Sequence, residues 1–353
     1  MNTGAHDRIA QEFPGTIARI LELQCADGSI PWFENGTFDP WNHMEAAMGL
    51  TAAGEIAAAR KAFEYLAETQ NSDGSWWGEY GALAPIENGR YVTEISPKKI
   101  RDTNFCAYPA TGLWHHFLVT QDRTFLARHF PKIESALNWV LQWQSAQGDV
   151  RWSARDAQTP EEDALLTGNS SIYKSLECAL RCAGALGLNR PTWHAARAKL
   201  GQTIRTRPER FDRTWGSKAH FAMDWYYPVL TGAIGGDAGK NRVTKRLDEF
   251  LIDGVGCLCV THAPWVTIAE SAELATTLCS VGMIAQAHAL LSWQNRWRDE
   301  RGSFWMGHQY AQNIPWPAER PAWTGAAMIL AYDALNDLTP ASRLFLEHLP
   351  EID

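Results

Sequence analysis

The chain has 353 residues, 45% of them hydrophobic, and a formal charge of −8 from 32 basic and 40 acidic side chains. That is apolar material for a large core, and the absence of a basic cluster argues against a nucleic-acid surface. No stretch approaches the ~18 apolar residues of a membrane span, the opening MNTGAHDRIAQEF has no basic lead into an apolar run, and seven scattered cysteines suit a reducing compartment; a soluble cytoplasmic protein is expected.

In chain order, one phrase recurs. LELQCADGSIPW ends at Trp32, FEYLAETQNSDGSWWGEY at Tyr80 and LQWQSAQGDVRW at Trp152, and a looser copy, LLSWQNRWRDERGSFW, ends at Trp305. In the first three, Gln24, Gln70 and Gln144 each stand four residues before a glycine, with tryptophan just beyond. Each copy reads as the last turn of a helix followed by a tight reversal. A helical hairpin repeated in this way cannot bury its apolar face alone, so the hairpins must stack on one another. Twelve helices at roughly 27 residues apiece, connections included, would fill the chain. No linker, charge block or low-complexity tract divides it, and one domain spanning 1–353 is expected.

Between the repeats, several junctions carry polar residues onto helices that otherwise look buried. Asp39-Pro-Trp41-Asn42 opens one, with Asp39 as cap and proline at the first position; capping does not explain Glu45 among alanines and methionines. Arg101-Asp102-Thr-Asn104 repeats the pattern, with Tyr108 one turn on, and Asn169 opens a third helix. Asp224 precedes Trp225, Tyr226 and Tyr227. His262 and Trp265 lead into a helix carrying Glu270 and Glu273, one of which is expected to face solvent. Trp316, Glu319, Arg320 and Trp323 lead into the apolar closing helix. Each junction alone reads as a capped helix start. Together they imply convergence, because alternate helix starts in a ring of hairpins meet at one end of the central cavity.

Seventeen tryptophans far exceed an ordinary share. Several stand in loops (Trp32, Trp41, Trp76, Trp77, Trp225, Trp265, Trp316), where indole can stack on a sugar ring while neighbouring polar groups bond its hydroxyls; about half of all seventeen are assigned to packing between repeats.

The Gln-x3-Gly-x-Trp phrase is similar to the QW-type repeat of the squalene-cyclase and prenyltransferase superfamily, which implies an all-α fold, an (α/α)6-type toroid. In architecture and composition the chain also resembles the six-hairpin glycosidases. That resemblance implies a hydrolase, inverting as such enzymes usually are, using one protonated carboxyl and one carboxylate on an oligosaccharide, with no cofactor. Many such glycosidases keep the base in the loop before the final helix, the place Glu319 occupies. For the acid, Asp102 and Asp224 come first, then Asp39 and Glu270. Trp41, Asn42, Glu45, Asn104, Tyr108, Asn169, Trp225, Tyr226, His262, Trp265, His308, Trp316, Arg320 and Trp323 are expected to bind substrate. Two alternatives stay open: an isoprenoid cyclase or transferase, although no Asp-x-Asp-Asp or Asp-Asp-x-x-Asp run is present, and a non-catalytic sugar-binding toroid. No metal site is expected: His115 and His116 are consecutive on a helix and point to different faces.

Overall fold

A computed structural model describes residues 3–34, 36–81, 100–154 and 163–349. Its α-helices are α1 (Thr3–Glu12), α2 (Pro14–Leu23), α3 (Pro40–Ala52), α4 (Ile56–Thr69), α5 (Thr103–Ala107), α6 (Pro109–Thr120), α7 (Arg123–Leu141), α8 (Leu166–Leu186), α9 (Pro191–Thr206), α10 (Ala222–Leu230), α11 (Gly236–Phe250), α12 (Ile268–Ser280), α13 (Ile284–Trp293) and α14 (Ala322–Asn336). They form two concentric rings. In the inner ring α3, α5 with α6, α8, α10, α12 and α14 pack each on the next, and α14 closes on α3; α2, α4, α7, α9, α11 and α13 stand outside. This is the toroid expected from the repeat.

Side-chain pattern sorts the helices between the rings. α8 is buried all round from Asn169 to Leu180, whereas α11 buries only Gly239, Val243 and Phe250, the mark of a helix with one face on the core. The ring closes tightly. A methyl added at Gly49 on α3 would lie 2.8 Å from the Cβ of Ala326 on α14, an approach that only glycine permits.

The recurring glutamine is a staple between outer helices. Gln24 Nε2 donates to the carbonyls of Gly28 (3.2 Å) and of Ala58 on α4 (2.9 Å). Gln70 does the same to Gly74 and Lys132 on α7, at 2.9 and 2.8 Å, and Gln144 to Gly148 and Ala196 on α9, at 3.0 and 2.9 Å. The three glycines have φ of +94°, +93° and +107°, a conformation side chains rarely adopt. The fourth copy departs: Gln294 bonds Val255 and Leu290. Its turn still meets the next outer helix, since Thr16 on α2 donates to the Gly302 carbonyl at 3.0 Å, and so closes the outer ring.

Inner helices start at a common end, here called the mouth. The loops before α12 and α14 lie side by side there and pair into a small antiparallel sheet of strands Leu251–Ile252, Gly256–Leu258, Trp265–Thr267, Gly307–Gln309 and Ile314–Pro315, each beside the next. The opposite end is covered by residues 337–349, pinned by Thr339 on the Asp333 carboxylate and by Lys174 and Arg197 on the carbonyls of Glu347 and Leu349. Among the described residues no helix is long and apolar enough to cross a membrane.

Candidate active site

Acids cap α3 and α5 and stand in the first turn of α10 and α12, at the helix starts that face the mouth. Asp39 caps α3 through the Asn42 amide (2.9 Å), while its other oxygen accepts from the Asn42 side chain (2.7 Å) and the Trp32 indole (3.1 Å). Burial pushes its pKa up to about 6 against these bonds. Asp102 caps α5 through Phe105 at 3.0 Å; burial, with the nearby charge of Asp39, raises it to about 7. Asp224 follows the start of α10, raised by burial to about 6. Glu270, in the first turn of α12, accepts from the Thr267 hydroxyl and the Cys259 thiol. Burial lifts it to about 7, so much of it is protonated at neutral pH.

Trp41 floors the mouth. It projects from α3 to touch Phe105 and Tyr108 on the adjacent wall and Tyr227 on α10 at 5.7 Å, across the ring from its own helix. Beneath it Glu45, Tyr108, His115, Tyr227 and Glu273 line an inner cavity of about 40 Å³. Burial and then their mutual charge raise the pKa of Glu45, and burial that of Glu273, which the Tyr226 hydroxyl also bonds.

Beside this floor, between α14 and α3, lies a larger pocket of about 170 Å³ lined by Trp32, Phe33, Asn42, Met306, Glu319, Pro321 and Trp323. Glu319 is 7% exposed. Main-chain bonds fix its height: Met306 N donates to the Glu319 carbonyl at 2.8 Å, and Ile268 N to the Met306 carbonyl at 3.1 Å, tying Glu319 to the start of the helix that carries Glu270. A sugar-sized pocket with a carboxylate on its wall and a protonated carboxyl on the neighbouring helix is equipped for acid–base cleavage of a glycosidic bond.

No protein-family model matches the sequence. Over 330 residues, however, it is 42% identical to the MMP endo-(1,4)-3-O-methyl-alpha-D-mannosidase of Mycolicibacterium hassiacum, covering 94% of this chain and 88% of that protein. The chain belongs to this family of glycoside hydrolases. Solved structures show the fold alone: a glycosidase (15% identity, TM-score 0.69, 96% of this chain and 100% of that one) and a D-mannose isomerase (13%, 0.70, 94% and 98%). The recurring glutamine phrase is accounted for by the staples between outer helices.

In this hydrolase the expected site residues divide. Asn42, Glu319 and Trp323 meet in one pocket, and Trp41, Asp39, Asp102, Asn104, Asp224 and Glu270 stand around the same mouth, where the Asn104 amide oxygen is buried with no partner among the described residues. Trp265 donates to the Trp316 carbonyl at 2.7 Å with their rings edge to face at the rim, and Trp316 is exposed; His262 is exposed beside His220.

Other residues expected to bind substrate are committed elsewhere. Trp225 turns outward, stacked on Phe250 of α11 at 4.9 Å and bonded to the Arg242 carbonyl. Asn169 straps Val150 to α8 with both ends of its amide. His308 lies buried flat on Trp297, and Arg320 is paired with Asp299 over Trp305. Tyr226 serves Glu273, and Glu45 and Tyr108 lie at or below the floor. Glu270 is buried and Glu273, half-buried, lines the inner cavity, so neither lies on the outer surface, because α12 is walled by α10 and α14. Phe33 and Met306 carried no sequence signal as site residues; they come from separate segments that only the closed ring brings together. Trp32 was legible only as a loop tryptophan.

Proposed function

We propose that the chain cleaves internal α-(1,4) bonds of a 3-O-methylated mannose oligosaccharide with inversion, Glu270 acting as general acid and Glu319 as base. The substrate class follows the mannosidase to which the chain is 42% identical. The assignment rests on one observation above others: Glu319 lines a sugar-sized pocket, and the neighbouring inner helix holds a carboxyl whose pKa is raised to about 7. Met306 ties the loop of Glu319 to the start of α12, and an inverting pair would keep its carboxyls ~6.5–9.5 Å apart to admit water. Asp102 stands one helix farther round the ring and spends an oxygen on its cap, so it yields the acid role to Glu270.

In the reaction, Glu270 gives its proton to the leaving glycosidic oxygen as the C1–O bond breaks. Glu319 takes a proton from the water that attacks C1 from the opposite face. The pair ends with its protonation exchanged and resets through solvent. Trp41 and the rim tryptophans supply stacking surfaces for the sugar rings.

The test is release of reducing ends from a 3-O-methylated α-(1,4)-oligomannoside. Glu270→Gln and Glu319→Gln are each expected to lower kcat by about 10²–10⁴, with Asp102→Asn within about tenfold of wild type. Wild-type rates in both glutamine variants would refute the assignment; a dead Asp102→Asn beside an active Glu270→Gln would move the acid to Asp102.

A further inference from the structure

The pocket beside Glu319 has an unusual balance of surfaces. Five of its lining residues, Trp32, Phe33, Met306, Pro321 and Trp323, present aromatic or aliphatic surface. Two groups that would otherwise offer donors are turned away: the Trp32 indole N–H and the Asn42 side-chain amide both donate to the same Asp39 oxygen, at 3.1 and 2.7 Å. A sugar hydroxyl pressed against these five residues, away from the Glu319 carboxylate on the same pocket's wall, would lose its water without gaining a partner. A methyl ether on the same carbon donates nothing and buries a methyl group. The volume of about 170 Å³ is some tenfold the ~15 Å³ a single water needs, so the pocket takes a sugar edge together with its substituent. Met306 is tied on both sides by main-chain bonds, donating to Glu319 and accepting from Ile268; this places its side chain without help from its own chemistry.

Resting on the proposed cleavage of a methylated mannoside, we infer that this pocket reads the O-methyl group, with Met306 and Phe33 as specificity-determining residues that select methylated over free sugar. The phrase around Asp39 gains a purpose beyond capping: by gathering the polar edges of Trp32 and Asn42, Asp39 leaves the pocket wall dry.

The experiment compares kcat/KM on an α-(1,4)-mannotetraoside and on its 3-O-methylated counterpart. Wild type is expected to favour the methylated substrate by about 10–100-fold, the range a dry pocket commands for a small apolar group. Met306→Gln, close in size and keeping the main-chain bonds, is expected to cut that preference about tenfold, the methylated substrate losing more rate than the free one. Phe33→Tyr should act in the same direction. Competitive inhibition of wild type by methyl 3-O-methyl-α-mannoside and by methyl α-mannoside gives a check independent of any variant's folding, with the methylated sugar expected to bind at least tenfold tighter. Equal wild-type rates on both substrates, equal inhibition by both sugars, or an unchanged preference in both well-folded variants would overturn the inference while leaving the hydrolase reading intact. Cleavage of neither tetraoside by wild type would instead bring down the proposed substrate, and this inference with it.

Discussion

Two sets of carboxyls, Glu177 at the closed end and the acids of the mouth, are treated in opposite ways. At the closed end Glu177 is fully buried, yet Lys174 (3.0 Å), Arg197 (2.9 Å) and Arg181 (3.2 Å) converge on it. Burial alone would raise its pKa, and these cations hold it below the usual carboxylate range. At the mouth Asp39 and Glu270 are buried and Asp102 is half-buried, and none has an ion pair among the described residues; burial raises all three. The difference lies in where the chain puts its cations. Glu177 receives three of them, and Asp39, Asp102 and Glu270 are left without.

Removing the anion from the closed end should give the largest effect. Glu177→Ala strands Lys174 and Arg197 without their counter-charge, and a loss of about 3–5 kcal/mol is expected in denaturant unfolding; a loss below 1 kcal/mol would mean the cluster is solvated. The pH dependence comes next. Carboxyls with raised pKa contribute stability that is complete below their ordinary values near 4 and is lost as pH rises to 6 to 7, so the melting temperature should fall between about pH 5 and pH 7. Asp102 and Glu270 would each account for about 2 kcal/mol over that window, and the double variant Asp102→Asn, Glu270→Gln should flatten that limb. Glu177 and Asp149, held low by cations, act in the other sense and lose their contribution as pH falls below the carboxylate range.

Smaller effects sharpen the contrast. Gln70→Ala removes two bonds, to Gly74 and Lys132, and should cost about 1–2 kcal/mol by chemical denaturation without changing kcat, since the staple lies on the outer ring. The mildest change is Asp102→Asn alone near pH 4, where the raised pKa of the aspartate costs little and asparagine caps α5 as well as aspartate does; a shift within about 0.5 kcal/mol is expected. A large loss there would mean that Asp102 is braced as a charge, like Glu177.

The outer ring was legible because its staple is local: a glutamine, a glycine of positive φ and a tryptophan fall within nine residues, and the same spacing recurs. The mouth was legible to the extent that caps are local, as for Asp39 and Asp102. What sequence left open was direction within short aromatic helices. Trp225, Tyr226 and Tyr227 are consecutive, and only the packing of Phe250 decides that Trp225 points out while Tyr226 turns toward Glu273. The pocket beside Glu319 was hidden for a different reason, since residues near 32, 42, 306 and 320 meet only when α14 closes on α3. Glu270 is preferred to Asp102 on ring position, which spacing along the chain does not encode.

The most direct test of the acid–base pair is proton NMR of the first reducing ends formed from a 3-O-methylated α-(1,4)-oligomannoside. A pair on neighbouring inner helices is expected to release the β-anomer, which then relaxes toward the α-anomer by mutarotation. Initial release of the α-anomer would contradict it, because retention requires carboxyls about 5 Å apart and a nucleophile on the sugar, a geometry that Glu270 and Glu319 were not assigned.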